Sequence, residues 1–266
     1  MTFPPFAAII TAAGKSERFS GGKVKKEYLS IDGETVLHKA VSPFLEVPGI
    51  QLVVVTCPPG EQNECAVALG NLFDHQSVPT MICDGDESRQ GSVLKALDLV
   101  RKIGIPVDYV AIHDGARCFV TSDLIIQTLA TATVFGGAAP ALALVDAPKG
   151  IDEGGMIVTH LDRHATVGVQ TPQIFRFPDI LKAHKMVKDN GKTYIDDTEI
   201  FTDCGFKVGV CTGDRANKKI TYLEEIPDAA NQITQYLANR EKGMEAKKAH
   251  EELEKAILES KEHKTL

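Results

Sequence analysis

The chain has 266 residues, 43% of them hydrophobic, enough to build one large domain or two small ones around a sizeable core. Asp and Glu outnumber Lys and Arg by 36 to 29, and the resulting net charge of -7 argues against a general nucleic-acid binder and makes local basic clusters conspicuous. No apolar run approaches the roughly 20 residues of a membrane span, and no basic segment precedes the short apolar run at the N-terminus, so a cytoplasmic protein without a signal peptide is expected.

Candidate strands alternate with helices along the chain. Phe6 to Thr11 reads as a buried strand, Thr35 to Leu45 as a helix, Leu52 to Thr56 as a strand and Asn63 to Leu72 as a helix. Pro79 to Cys83 reads as a strand. Arg89 to Ile103 carries Val93, Leu97 and Val100 on one helical face and stops at Gly104 and Pro106. Strand Tyr109 to Ile112, helix Ser122 to Val134 and strand Ala141 to Val145 follow. This spacing predicts an α/β fold with a mostly parallel sheet covered on both faces, and ligands at the carboxyl ends of its strands.

The stretch from Asp146 to Gln170 breaks the rhythm. Asp152, Glu153, Gly154 and Gly155 make a turn between two short extended runs, which predicts a projecting hairpin. A two-stranded hairpin is marginal alone, so a second subunit is its natural support, with a plain surface excursion as the alternative. A helix near Pro178 to Lys188, an acidic stretch at Asp196 and Asp197, and a strand Phe206 to Cys211 come next. From Glu224 the chain reads as helix, residues 227–266 are expected to form a helical, charged C-terminal tail, and past Arg240, where the charge is highest, a solvated or frayed helix is expected. The six cysteines show no C-x-x-C pair, which favours reduced, buried thiols.

Four turns carry the chemistry. The first, TAAGKSER (Thr11 to Arg18), has almost no side chain at Ala12, Ala13 and Gly14, so backbone N–H groups there can approach a phosphate or base, while Lys15, Arg18, Lys25 and Lys26 supply charge. A Walker A loop would need glycine at Ile9, and a dinucleotide fingerprint would need two glycines beyond Gly14. The second turn places Gly85, Asp86, Ser88 and Arg89 at a strand-to-helix junction, with Ser88 able to cap the helix and Ser92 facing the turn. The third, HDGAR (His113 to Arg117), ends a buried strand; Asp114 offers a hard oxygen to magnesium, or else forms an ion pair at the edge of the core. The fourth, NKKIT (Asn217 to Thr221), projects Lys218 and Lys219, a pattern that a solvated basic turn would also give.

In this order, AAG, Arg18, Lys26 with Tyr28 and Leu29, SRQGSV, HDGAR, QTPQIF (Gln170 to Phe175) and NKKIT resemble the 2-C-methyl-D-erythritol 4-phosphate cytidylyltransferases over about residues 6 to 226. The resemblance implies a Rossmann-like nucleotidyltransferase domain, CTP and magnesium, and a homodimer in which a hairpin arm, here residues 146–170, reaches the neighbour. It assigns cytidine and phosphate binding to Ala12, Ala13, Gly14 and Lys15, to Gly85, Asp86, Arg89 and Ser92, and to Asp114, Gly115 and Ala116. Asp114 would hold the metal. Arg18 and Lys26 would stabilise charge on the reacting α-phosphate. Arg117, Asp146, Arg163, Thr171 and Lys219 would position the sugar-alcohol phosphate, with Arg163 serving the neighbour's site and Arg163 and Lys219 counting among the catalytic cations.

The pattern is not followed everywhere. Ser16 replaces a second glycine, Lys25 and Glu27 replace the proline and glutamine flanking the key lysine, Cys118 replaces a proline, and Asp86 replaces another glycine. Ala147 and Ile195 replace threonines in acceptor-binding regions, which leaves ribitol 5-phosphate as an alternative acceptor. A catalytically silent nucleotide binder would be expected to lack Arg18, Lys26 or Lys219, and all three are present.

Overall fold

A computed structural model describes residues 3–16, 19, 24–72 and 77–244. The expected catalytic Arg18 and the end of the charged tail lie outside the described residues.

Strand β1 (Phe6–Thr11) lies at the centre of an eight-stranded sheet, and its side chains alternate between two cores. Phe6, Ala8 and Ile10 point into one, with Leu37, Val41 and Phe44 of α1 (Val36–Leu45) and Leu124, Ile125 and Leu129 of α4 (Ser122–Phe135). Ala7 and Ile9 point into the other, with Val93, Leu97 and Val100 of α3 (Arg89–Ile103) and Ile180 of α5 (Phe177–Val187). A strand buried on both faces must be apolar throughout, which is why FAAIIT carries no polar alternation. Two residue pairs, β2 (Ser30–Ile31) and β3 (Glu34–Thr35), form a small ladder ahead of α1.

Beside β1 lie β4 (Ile50–Cys57) and β6 (Tyr109–Asp114), both parallel to it, and β5 (Thr80–Asp84) is parallel to β4, with α2 (Gln62–Leu69) joining β4 to β5. On the far side of β6 the sheet turns mixed. β11 (Gln173–Arg176) runs antiparallel to β6 and to β7 (Gly137–Ala143), while β10 (Val167–Val169) continues antiparallel along the same edge of β7. Parallel β12 (Gly209–Thr212) covers the other edge, reached through α6 (Asp197–Asp203).

Several boundaries differ from the sequence reading, most of them by one to three residues. β7 starts four residues before the expected Ala141 and ends at Ala143, because Gly137 must pack without a side chain, a Cβ there lying 2.9 Å from both Phe175 and Phe201. The strand expected at Phe206 to Cys211 is only Gly209–Thr212, and Phe206 instead packs on the ring of Phe201 at 4.6 Å. β11 and α6 were not expected. The hairpin was: β8 (Lys149–Ile151) pairs with β9 (Ile157–His160) as an isolated antiparallel ladder, exposed to solvent, with Asp152 capping its turn at the N–H groups of Gly154 and Met156.

Residues 229–244 are helical but are not a detached tail. Ile226 and Ala229 are buried in a third core with Val24, Leu29, Ile31 and Ile220. Gln232 exchanges hydrogen bonds with both the N–H and the carbonyl of Ser30, at 2.7 and 3.0 Å, and Tyr236 packs on Tyr28.

Candidate active site

The carboxyl ends of β1, β4, β5 and β6 open into one cleft of ≈ 890 Å³. Sheet pairing continues just past β1, since Ala12 donates its N–H to Thr56 O at 3.0 Å. The next three N–H groups, of Ala13, Gly14 and Lys15, find no acceptor among the described residues and line the cleft. Ala12 therefore supports the turn instead of donating to a ligand. Gly115 does the same, its N–H bonded to Thr11 O at 3.0 Å, while Ala116 is on the wall.

The second wall is the junction between β5 and α3. Ser88 caps α3 by accepting the Gly91 N–H at 2.9 Å, and Ser92 Oγ accepts the Asp86 N–H at 2.8 Å while donating to Ser88 O. Gly85 is required by close approach: a Cβ there would lie 2.2 Å from the Cβ of Ala13, so the two turns can touch only because both residues are small. Lys95, which the sequence reading did not single out, donates to Gly85 O at 2.8 Å and pairs with Asp86 at 3.1 Å. Its helical spacing from Ser88 and Ser92 was the available signal.

At the floor, β6 presents Asp114 to three cations. Lys219 Nζ lies 2.9 Å and Arg117 Nε 3.5 Å from Oδ2, and Arg89 Nε lies 3.8 Å from Oδ1. Burial pushes the Asp114 carboxyl up, but these cations outweigh it and hold it below the ordinary carboxylate range. Lys219 is brought there by the loop after β12, which Gln170 pins by bonding Asp214 and Asn217, and which Asn217 pins by donating to Thr171 O at 2.8 Å. Lys26 enters from a short 3₁₀ turn, Lys26–Tyr28, and its Nζ donates to Ile220 O at 2.6 Å. Burial, aided by the neighbouring Lys219 charge and opposed by Glu27, lowers its pKa.

Arg117 and Thr171 do not line the cleft. They stand behind Asp114: Arg117 also donates to Asn217 O at 2.8 Å, and Thr171 Oγ1 accepts the Asp114 N–H at 3.1 Å and meets His113 Nδ1 at 3.0 Å. Full burial lowers the His113 pKa to about 4, so that imidazole is a neutral structural partner. Asp146 and Arg163 sit on the exposed arm, where Arg163 donates to Val145 O at 3.3 Å, and a single chain does not bring them to the cleft. Beneath the floor is a residue noted in the sequence only as part of an acidic pair. Asp197 is fully buried, 2.7 Å from Arg89 Nη1 and 3.0 Å from His184 Nε2, and accordingly orients Arg89.

Among the described residues no cluster of three or more His, Cys, Asp or Glu side chains could hold a metal ion. Magnesium typically binds through one or two carboxylates plus substrate phosphates, and a lone Asp114 whose Oδ1 has its cation at 3.8 Å, beyond hydrogen-bond reach, fits that mode.

The cleft offers backbone donors and cations in place of a nucleophile activated by a base. Such a site suits a reaction in which one substrate's phosphate attacks another's and the protein positions both and offsets their charge. Together with the sheet, this defines a nucleotidyltransferase.

Comparison with known proteins narrows the class. The model of the family IspD, 2-C-methyl-D-erythritol 4-phosphate cytidylyltransferase, matches residues 6–235. The enzyme of that name from Caldanaerobacter subterraneus subsp. tengcongensis is 35% identical over 220 residues, covering 83% of this chain and 95% of that protein. Its counterpart from Clostridium perfringens is 33% identical, covering 82% and 94%. Among solved structures, the cytidylyltransferase of Thermus thermophilus superposes with a TM-score of 0.66 at 25% identity, covering 88% of this chain and 100% of that one. The 4-diphosphocytidyl-2C-methyl-D-erythritol synthase of Anaerococcus prevotii gives 0.71 at 22%, covering 87% and 96%, and supports the fold. The chain belongs to the 2-C-methyl-D-erythritol 4-phosphate cytidylyltransferase family.

Proposed function

We propose that this chain moves CMP from CTP to 2-C-methyl-D-erythritol 4-phosphate, releasing pyrophosphate, in the supply of isoprenoid precursors. The acceptor phosphate is largely ionised near neutral pH, its second pKa being about 6, so an oxygen can attack without a general base. The new bond forms between that oxygen and the α-phosphorus of CTP. The bond from the α-phosphorus to its bridging oxygen breaks, and its electron pair leaves with pyrophosphate. Lys26 and, by family resemblance, Arg18 offset charge on the α-phosphate; Ala13, Gly14 and Lys15 donate to the nucleotide; Lys219 guides the acceptor phosphate. Magnesium, held by Asp114 and the CTP phosphates, would supply charge neutralisation.

What supports this reading above all is the meeting of Lys26, Lys219 and Asp114 at the end of the cleft whose other wall is the Ala13–Lys15 turn. The arm is assigned to a homodimer. Ile151, Met156, Ile157 and Val158 on it are all exposed, and an apolar two-stranded ladder needs a surface to cover it. In the dimer Arg163 serves the neighbouring cleft. We place the protein in the cytoplasm, with its soluble substrates; no helix among the described residues is long and apolar enough to cross a membrane.

The test is pyrophosphate release from CTP and magnesium with 2-C-methyl-D-erythritol 4-phosphate in one arm and ribitol 5-phosphate in the other. Release with the first and little with the second is expected. The reverse preference would assign the alditol phosphate through Ala147 and Ile195, and no release with either would defeat the enzymatic reading.

A further inference from the structure

Of three residues that depart from the family's pattern, Ser16 and Lys25 both meet the third, Glu27. Lys25 is 7% exposed and Glu27 4% exposed, and Lys25 Nζ lies 3.5 Å from Glu27 Oε2. The same Glu27 oxygen accepts a hydrogen bond from Ser16 Oγ at 3.4 Å, and Lys25 Nζ donates to the carbonyl of Gly14. Ser16 meets this geometry in a left-handed backbone conformation, φ 51. The Ser16–Glu27 and Lys25–Gly14 links thus each join the nucleotide-facing turn to a residue flanking Lys26.

We propose that Lys25 and Glu27 are positioning residues, a buried ion pair that locks the Gly14–Ser16 turn to the segment carrying Lys26 and so sets the register between the triphosphate-binding backbone and that cation. Lys25 is not on the cleft wall, so it acts through Gly14 and not on the ligand, whereas Glu27 borders the cleft while its Oε2 is taken up by Lys25 and Ser16. A buried pair is expensive to desolvate and is disrupted strongly when one partner is removed, because the other charge stays behind uncompensated. Proline at 25 with glutamine at 27, as in the family's pattern, carries no charge at either place. The two substitutions are therefore tolerable together and costly singly, and Ser16 adds the hydroxyl that joins the pair to the turn.

This inference rests on the cytidylyltransferase reading for its meaning, but its test reads CTP binding, which does not depend on the acceptor. Equilibrium binding of CTP with magnesium is measured on the full chain for Glu27→Gln, Lys25→Met and the double variant, together with thermal unfolding and, where turnover is found, KM for CTP and kcat. Each single variant is expected to weaken CTP binding at least about tenfold, the scale on which stranding one buried charge acts. The double variant recovers most of that loss, and KM for CTP moves more than kcat. Singles that bind CTP within about twofold of the parent, or a double variant whose loss is the product of the two singles, overturn the proposal. Should a single variant not fold, the triple change Ser16→Gly, Lys25→Pro, Glu27→Gln decides it: all three departures removed together give a folded CTP binder if they form one unit, and an unfolded or non-binding chain if they do not.

Discussion

Replacing Asp197 by Asn separates what holds the site from what reacts in it. The carboxylate is fully buried, its Oδ2 2.7 Å from Arg89 and its Oδ1 3.0 Å from His184. An asparagine oxygen can still accept from His184, but its amide then faces Arg89 as donor against donor, and the closest carboxylate left to Arg89 among the described residues is Asp114, at 3.8 Å. Breaking a buried pair costs about 3–5 kcal/mol. The Arg89 side chain is 28% exposed and can gain some water, so the lower end, about 3 kcal/mol, is expected. For a chain of this size each kcal/mol moves the thermal midpoint by about 2–4 °C, giving a drop of about 6–12 °C. Arg89, drawn towards Asp114, then competes with Lys219, and KM for CTP rises. Thermal unfolding followed by circular dichroism, with steady-state kinetics below the new midpoint, measures both. A midpoint within about 2 °C of the parent and an unchanged KM would refute the role given to Asp197.

Lys26→Ala and Lys219→Met are each expected to lower kcat about a hundred- to a thousandfold. Lys219 is 40% exposed in its pair with Asp114, so its loss should cost no more than about 1 kcal/mol of stability, and near-normal turnover in either variant would remove that lysine from the mechanism. Gly85→Ala should abolish CTP binding, because its Cβ would meet Ala13 at 2.2 Å; calorimetric titration with CTP checks this. Asp114 and Asp197 both have lowered carboxyl pKa values in the folded state. Their stabilisation is therefore complete above the unfolded carboxylate value near 4 and is lost as pH falls below it towards the folded values, which a series of melts from neutral to acid pH will trace. Val158→Asp on the arm should convert a dimer into monomers in analytical ultracentrifugation, and a monomeric parent would contradict the role of the arm.

Much of the fold could be read from the chain because the central strands are mostly apolar and several helices announce their ends. Arg89 to Ile103 has a serine before it, Gly104 after it and a valine-leucine stripe between, and the helix has those bounds. β7 and β11 were harder to see. Apart from Leu142, β7 is built from glycine, alanine and proline, and its first residue, Gly137, is required by the space beside Phe175 and Phe201, which no local pattern records. The site divides in the same way. Ala13 and Gly14, and Asp86 and Ser92, were legible because each pair's chemistry is local to a single turn. Which N–H groups remain free was not, since Ala12 and Gly115 lose theirs to Thr56 and Thr11 across the sheet. Nor could Asp197 be recognised under Arg89, because the pairing exists only once α6 packs against α3 and α5.

The helix at 229–244 is tied to the segment that carries Lys26. Through Gln232 it grips Ser30, four residues from Lys26, and through the Ile226 and Ala229 side chains it shares a core with Val24 and Leu29 on either side of that lysine. The C-terminal helix and the segment that carries Lys26 are therefore built as one packed unit, and ending the chain before Gln232 would strip the Ser30 backbone of both of its hydrogen bonds to that side chain.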